Sequence, residues 1–122
     1  MPFQVLSEEE YKSLKIYGAR CGTLKGNIPL RDLQAKLGMS HSVSEDGKVQ
    51  FSWAIRSGDY VLTIHDYFGS RWSLGGARVL PASTKDSDRF RDSFDDRAKA
   101  VPALLDIARE VFGEEYVSTN LF

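Results

Sequence analysis

The sequence predicts an α+β domain, a small antiparallel sheet of three to five strands with helices packed on one face. Three observations lead there. Val49, Phe51, Trp53 and Ile55 alternate with Gln50, Ser52, Ala54 and Arg56, the period-2 pattern of a strand with one apolar face. VPALLDIAREVF places Val101, Leu105, Ala108 and Phe112 on one helical stripe. Turn-forming pairs, Asp46-Gly47 and Ser57-Gly58, separate the short apolar runs.

Ser7-Glu8-Glu9-Glu10 is a capping box: Ser7 accepts from the amide three residues on, and Glu10 reaches back to the Ser7 amide. Glu8 and Lys12 form an i,i+4 pair, Tyr11 and Leu14 share a face, and Gly18 offers a stop. A short helix over residues 8–16 follows. ARCGTLKGNI has too few helix formers for its glycines and reads as a strand or an extended lead-in.

Pro29 sits near the first position of a second helix, where its missing N–H costs nothing. Leu30, Leu33 and Leu37 form its apolar face and Gly38 ends it. SHSVSEDGK is a polar loop. With Ser57-Gly58 as a two-residue hairpin turn, Arg56 faces Asp59, Ile55 faces Tyr60, Trp53 faces Leu62 and Phe51 faces Ile64. The large apolar side chains then share one side. The other side carries Gln50, Ser52, Ala54, Arg56, Asp59, Val61, Thr63 and His65, with His65 opposite Gln50.

After a corner at residues 67–70, RWSLGG returns as a third strand that ends at Gly75-Gly76, and ARVL offers an extension before Pro81. Trp72 and Leu74 point one way, Arg71 and Ser73 the other. Residues 83–99 hold five basic and five acidic residues and break the pattern. Over 83–97 they read as a charged loop or frayed helix. In the last helix Pro102 is tolerated in the first turn and Gly113 caps. The tail EEYVSTNLF is expected to tuck Tyr116 or Phe122 onto the core.

The 122 residues suit one domain, 1–122, with a modest core. Net charge is −1, which gives no support for a protein that holds nucleic acid through phosphates. A single cysteine, Cys21, precludes a disulfide within the chain and fits a reducing compartment. MPFQVLSEEEYKSLK lacks a basic stretch followed by an apolar run, so no signal peptide is expected. No apolar run approaches the ~20 residues of a membrane span. The expectation is a cytoplasmic protein.

Candidate chemistry is sparse. His65-Asp66 pairs a base with a carboxylate, but neighbours on a strand point to opposite faces. Cys21 with His41 or His65 offers a thiol and a base, against the commoner role of a lone cysteine as a small core residue. The glycines match neither a phosphate loop nor a dinucleotide fingerprint. No metal or cofactor is expected.

The polar sheet face admits two readings. One is the solvated back of a half-buried sheet. The other is a ligand surface of Gln50, Arg56, His65, Tyr67 and Arg71, with Ser52, Thr63 and Ser73 beside them. There arginine would chelate phosphate and an aromatic ring would stack on a base. Arg89, Phe90 and Arg91, in the charged segment, are candidate partner anchors. Alternatively Phe90 and Phe94 simply pin a short helix.

Leu37-Gly38…His41, Asp46…Lys48-Val49, Trp53…Ile55, Ile64-His65-Asp66-Tyr67 and Trp72-Ser73-Leu74-Gly75-Gly76 together resemble a class of small phage and prophage proteins. Their pattern reads LG-x-P-H, D-x-x-K-V, W-x-I, T-I-Y-D-Y and W-x-I-G-G, and the likeness spans residues 23–76. This chain has Ser40, His65 and Leu74 where that pattern has proline, tyrosine and isoleucine. The resemblance implies a viral or mobile-element origin and a similar hairpin core, and it carries no catalytic residues over to this chain. It also implies a binding protein that counters a bacterial defence system in the host cytoplasm, by sequestering a nucleotide-like signal. The alternative is an inhibitor or immunity protein that blocks a host defence or toxin enzyme. Either leaves a homo-oligomer open.

Overall fold

The structure, a computed structural model, describes residues 3–14, 19–24, 28–43, 45–66, 72–79 and 100–118. Tyr67, Arg71, Arg89, Phe90, Arg91, Phe94, Phe122 and the charged segment 83–97 lie outside the described residues.

At the centre of the sheet, β3 (Ser52–Ser57) and β4 (Tyr60–His65) form the expected hairpin. Its register differs from expectation. The turn is Gly58-Asp59, so Ile55 pairs with Leu62, Trp53 with Ile64 and Ser52 with His65. Gly58, at φ 60°, supplies the left-handed residue that such a tight turn needs. β5 (Ser73–Arg78) pairs with β4 and runs through Gly75-Gly76 instead of ending there. Gly76 has φ 135°, and a Cβ there would lie 2.0 Å from Val61 O and 3.1 Å from a Leu104 methyl. Only glycine lets the strand and the helix above it approach so closely.

Among the described residues the sheet has six antiparallel strands, exceeding the predicted three to five. β1 (Gln4–Leu6), β2 (Ala19–Leu24) and β6 (Val117–Ser118) complete it in the order β1-β3-β4-β5-β2-β6. β1 is three residues and β6 two. Strands this short carry little local signal and are set by pairing.

α1 (Glu8–Ser13) carries the complete Ser7/Glu10 capping box but ends at Leu14, earlier than expected. α2 (Leu30–Leu37) starts after Pro29 and stops at Gly38, φ 85°. α3, described over residues 100–112, shows its predicted stripe, widened by Leu104, Ile107 and Val111. Among the described residues of the tail, Tyr116 is exposed and Val117 enters the core.

Helices are not confined to one face, which corrects the second part of the predicted architecture. Leu33 and Leu37 of α2 and the stripe of α3 pack on Trp53, Ile55, Leu62, Ile64 and Leu74. Each such fully buried side chain stabilises by about 1.5–3 kcal/mol. On the other face Leu6, Ala54, Val61 and Ala77 make a second small core, covered in part by Tyr11 and Leu14. Leu6 sits in β1, directly before α1, so α1 is delivered to this side. Ala54 and Val61, expected on a solvated face, are fully buried.

Candidate functional site

Cross-strand partners share a sheet face, and register alone therefore assembles the candidate site. Ser52 pairs with His65, His65 with Ser73, Thr23 with Ser73, and Thr23 with Ser118. Five adjacent strands thus line up four hydroxyls and an imidazole in one row, beyond the second small core. At about 4.8 Å per strand the row is roughly 19 Å long.

Thr23 reaches the row through a β-bulge. The register between β2 and β5 shifts between Arg20 and Gly22. Without the extra residue, Thr23 would pair with Trp72 and turn to the main core; a one-residue slip changes faces. Cys21, at the bulge, is instead buried in that core. Gly22 follows because a Cβ there would lie 2.3 Å from Ser118 O. The bulge and the glycine bring Thr23 and Ser118 together.

The row is closed in the middle and half-open toward both ends. Ser73 and Thr23 are buried, whereas Ser52, His65 and Ser118 are half-buried. Thr63 lies two residues along β4 from His65, on the same face and also half-buried. The other predicted ligand residues are placed differently. Arg56 sits four residues from Ser52 along β3, about 13 Å away. Its Nε donates to Gly58 O at 3.0 Å, turned to its own hairpin. Gln50 is exposed and precedes β3; His65 faces Ser52, not Gln50.

Asp66, weighed in the sequence only as a partner for His65, has a structural engagement. It is 1% exposed, and its Oδ1 accepts from the N–H groups of Gln50 and Phe51, both at 2.8 Å. Its own N–H donates to Phe51 O at 3.2 Å. A carboxylate clamping two successive amides fixes the chain's entry into β3. Burial pushes the Cys21 thiol up to about 11, which removes thiolate at neutral pH. His41 is used at the other edge: its Nε2 lies 3.1 Å from Leu6 O and its ring 5.8 Å from Tyr11.

Thr23, Ser118 and the amide clamp of Asp66 escaped the sequence reading. No local pattern marks the first two, since pairing between remote segments brings them in. Among the described residues, no three His, Cys, Asp or Glu gather as metal ligands, and no helix is long and apolar enough to cross a membrane. Comparisons with family models, with curated proteins and with solved structures found no match to this chain.

Proposed function

We propose that this chain is a non-enzymatic binding protein of phage or prophage type that counters a bacterial defence system by holding a small nucleotide-like ligand. The observation that carries the reading is the row itself, with half-buried Ser52 and His65 side by side at one of its ends. Hydroxyls and an imidazole both donate and accept, which suits phosphate oxygens and ribose hydroxyls. Two features favour binding over turnover. Asp66 Oδ1 is committed to backbone amides, and Cys21 is a buried thiol held in its neutral form.

Native mass spectrometry of protein purified from a defence-carrying bacterium, followed by denaturation, tests this. A nucleotide released in stoichiometric amount, and lost in His65→Ala with the fold intact by circular dichroism, is the expected result. Protein free of small molecules after such purification, and without heat change on titration with mono-, di- and cyclic nucleotides, overturns it. A co-purified polypeptide in place of a nucleotide transfers the assignment to an inhibitor of a host protein.

A further inference from the structure

The connection between α2 and β3 closes on itself. Its neck is the bond from His41 N–H to Ser52 O at 2.8 Å. Its tip is the Asp46-Gly47 turn, where Asp46 Oδ1 accepts from Lys48 N at 3.1 Å and Gly47 takes φ 72°. Surface loops with such a closed neck are often functional. Here each side of the neck is held by a carboxylate from a different element. Glu8 of α1 accepts from Ser42 N at 3.1 Å and from Ser42 Oγ at 2.8 Å. Asp66, after β4, holds Gln50 and Phe51.

The two clasps differ in burial. The Glu8 side chain is 31% exposed, whereas Asp66 is 1% exposed. Water competes for a surface hydrogen bond and not for a buried one, so the Glu8 clasp opens first. Ser52 belongs to both structures: its carbonyl closes the neck and its side chain begins the polar row.

We propose that residues 39–43 are a releasable latch, undone at Glu8–Ser42 while Asp66 keeps Gln50-Phe51 anchored, so that the loop opens on one side of its neck. The release does not depend on the binding reading above, and it is tested in ligand-free protein.

Amide hydrogen exchange, resolved by residue, reads the latch in Glu8→Ala and in Ser42→Ala, which keeps the backbone bond. Glu8→Ala is expected to speed exchange at His41 and Ser42 on the order of tenfold, with Ser42→Ala smaller. Gln50 and Phe51 are expected to stay within about twofold of the parent protein. Unchanged exchange at His41 and Ser42 overturns the latch. Equal acceleration at Gln50 and Phe51 also overturns it, because the loop then opens whole or the fold has loosened.

Discussion

Trp53 and Trp72 meet edge to face, ring centres 5.8 Å apart and planes at 63°, and between them they hold both ends of α2. Trp53 Nε1 donates to Gly38 O at 3.0 Å, beyond the helix's last turn. Trp72 Nε1 donates to Ile28 O at 2.9 Å, ahead of its first. An eight-residue helix is marginal alone. Its position over the sheet is set by these two indoles together with buried Leu33 and Leu37. Trp53→Phe, at 1% exposure, is expected to cost about 2–3 kcal/mol through a lost bond and a cavity. Half-buried Trp72→Phe should cost about 1 kcal/mol. Urea unfolding of the two variants measures both, and equal losses would contradict the ranking.

Removing the Asp66 carboxylate leaves two amides without their acceptor. Asp66→Ala is expected to destabilise by about 2–4 kcal/mol. Asp66→Asn retains an oxygen that can accept and should cost no more than about half of that. Chemical denaturation gives the order, and a milder alanine would refute the clamp.

Two glycines with positive φ should respond differently to alanine. Gly58 has open space around it, so Gly58→Ala meets only backbone strain of about 1–2 kcal/mol. Gly76→Ala adds a collision with Val61 O and should cost several kcal/mol or prevent folding, by about the scale of core overpacking and more. Thermal unfolding of both variants settles the contrast.

Acid should loosen the α1 edge. Hydrogen bonds from the Ser42 side chain and backbone hold Glu8 below its ordinary value of 4.5, and those from the Ser7 backbone and side chain do the same for Glu10. Both groups have folded values below the unfolded ones. Their contribution is therefore full above 4.5 and is lost as pH falls through the depressed folded values. Amide exchange at Ser42 and Ser7, the two amides that donate to these carboxylates, between pH 6 and 3 and corrected for intrinsic rates, should show protection falling below about 4.5 in the parent protein. Glu8→Gln should flatten the profile at Ser42 alone.

Cys21 should resist alkylation. A thiol at about 11 carries about a hundredfold less thiolate near pH 8 than one at 9.0, and burial adds a steric barrier. Iodoacetamide labelling should be slow in the native protein and ordinary in urea. Fast native labelling would place the thiol at the surface.

The central hairpin was legible because Trp53, Ile55, Leu62 and Ile64 repeat every second residue on a single face. Its register was not. Moving the turn from Ser57-Gly58 to Gly58-Asp59 exchanges each partner for one two residues away, and both partners of Trp53, Leu62 and Ile64, are equally apolar. The second small core hid in Ala54 and Val61, which look unremarkable among polar neighbours, and in Leu6 of an unforeseen strand. Gly75-Gly76 read as a stop because glycine usually marks one; the approach of Leu104 is a tertiary reason. Of the candidate site, His65, Ser52 and Ser73 were visible on the hairpin and its return strand. Arg56 was grouped with them by face, although four residues of strand separate it from Ser52.

The order β1-β3-β4-β5-β2-β6 also sets a timetable for the nascent chain. β3, β4 and β5 follow one another and can pair as they leave the ribosome. β2 emerges before all three and waits: its partner on one edge is β5, and on the other Val117–Ser118. Remote pairings carry a loop-closure cost, and synthesis at about 5–20 residues per second stretches the wait to several seconds. During that interval Leu24 lacks its Val117 neighbour and the Thr23–Ser118 pair does not exist. The sheet is thus sealed late, by two residues, and a ribosome that stalls before residue 117 holds a hairpin core whose polar row is still unfinished.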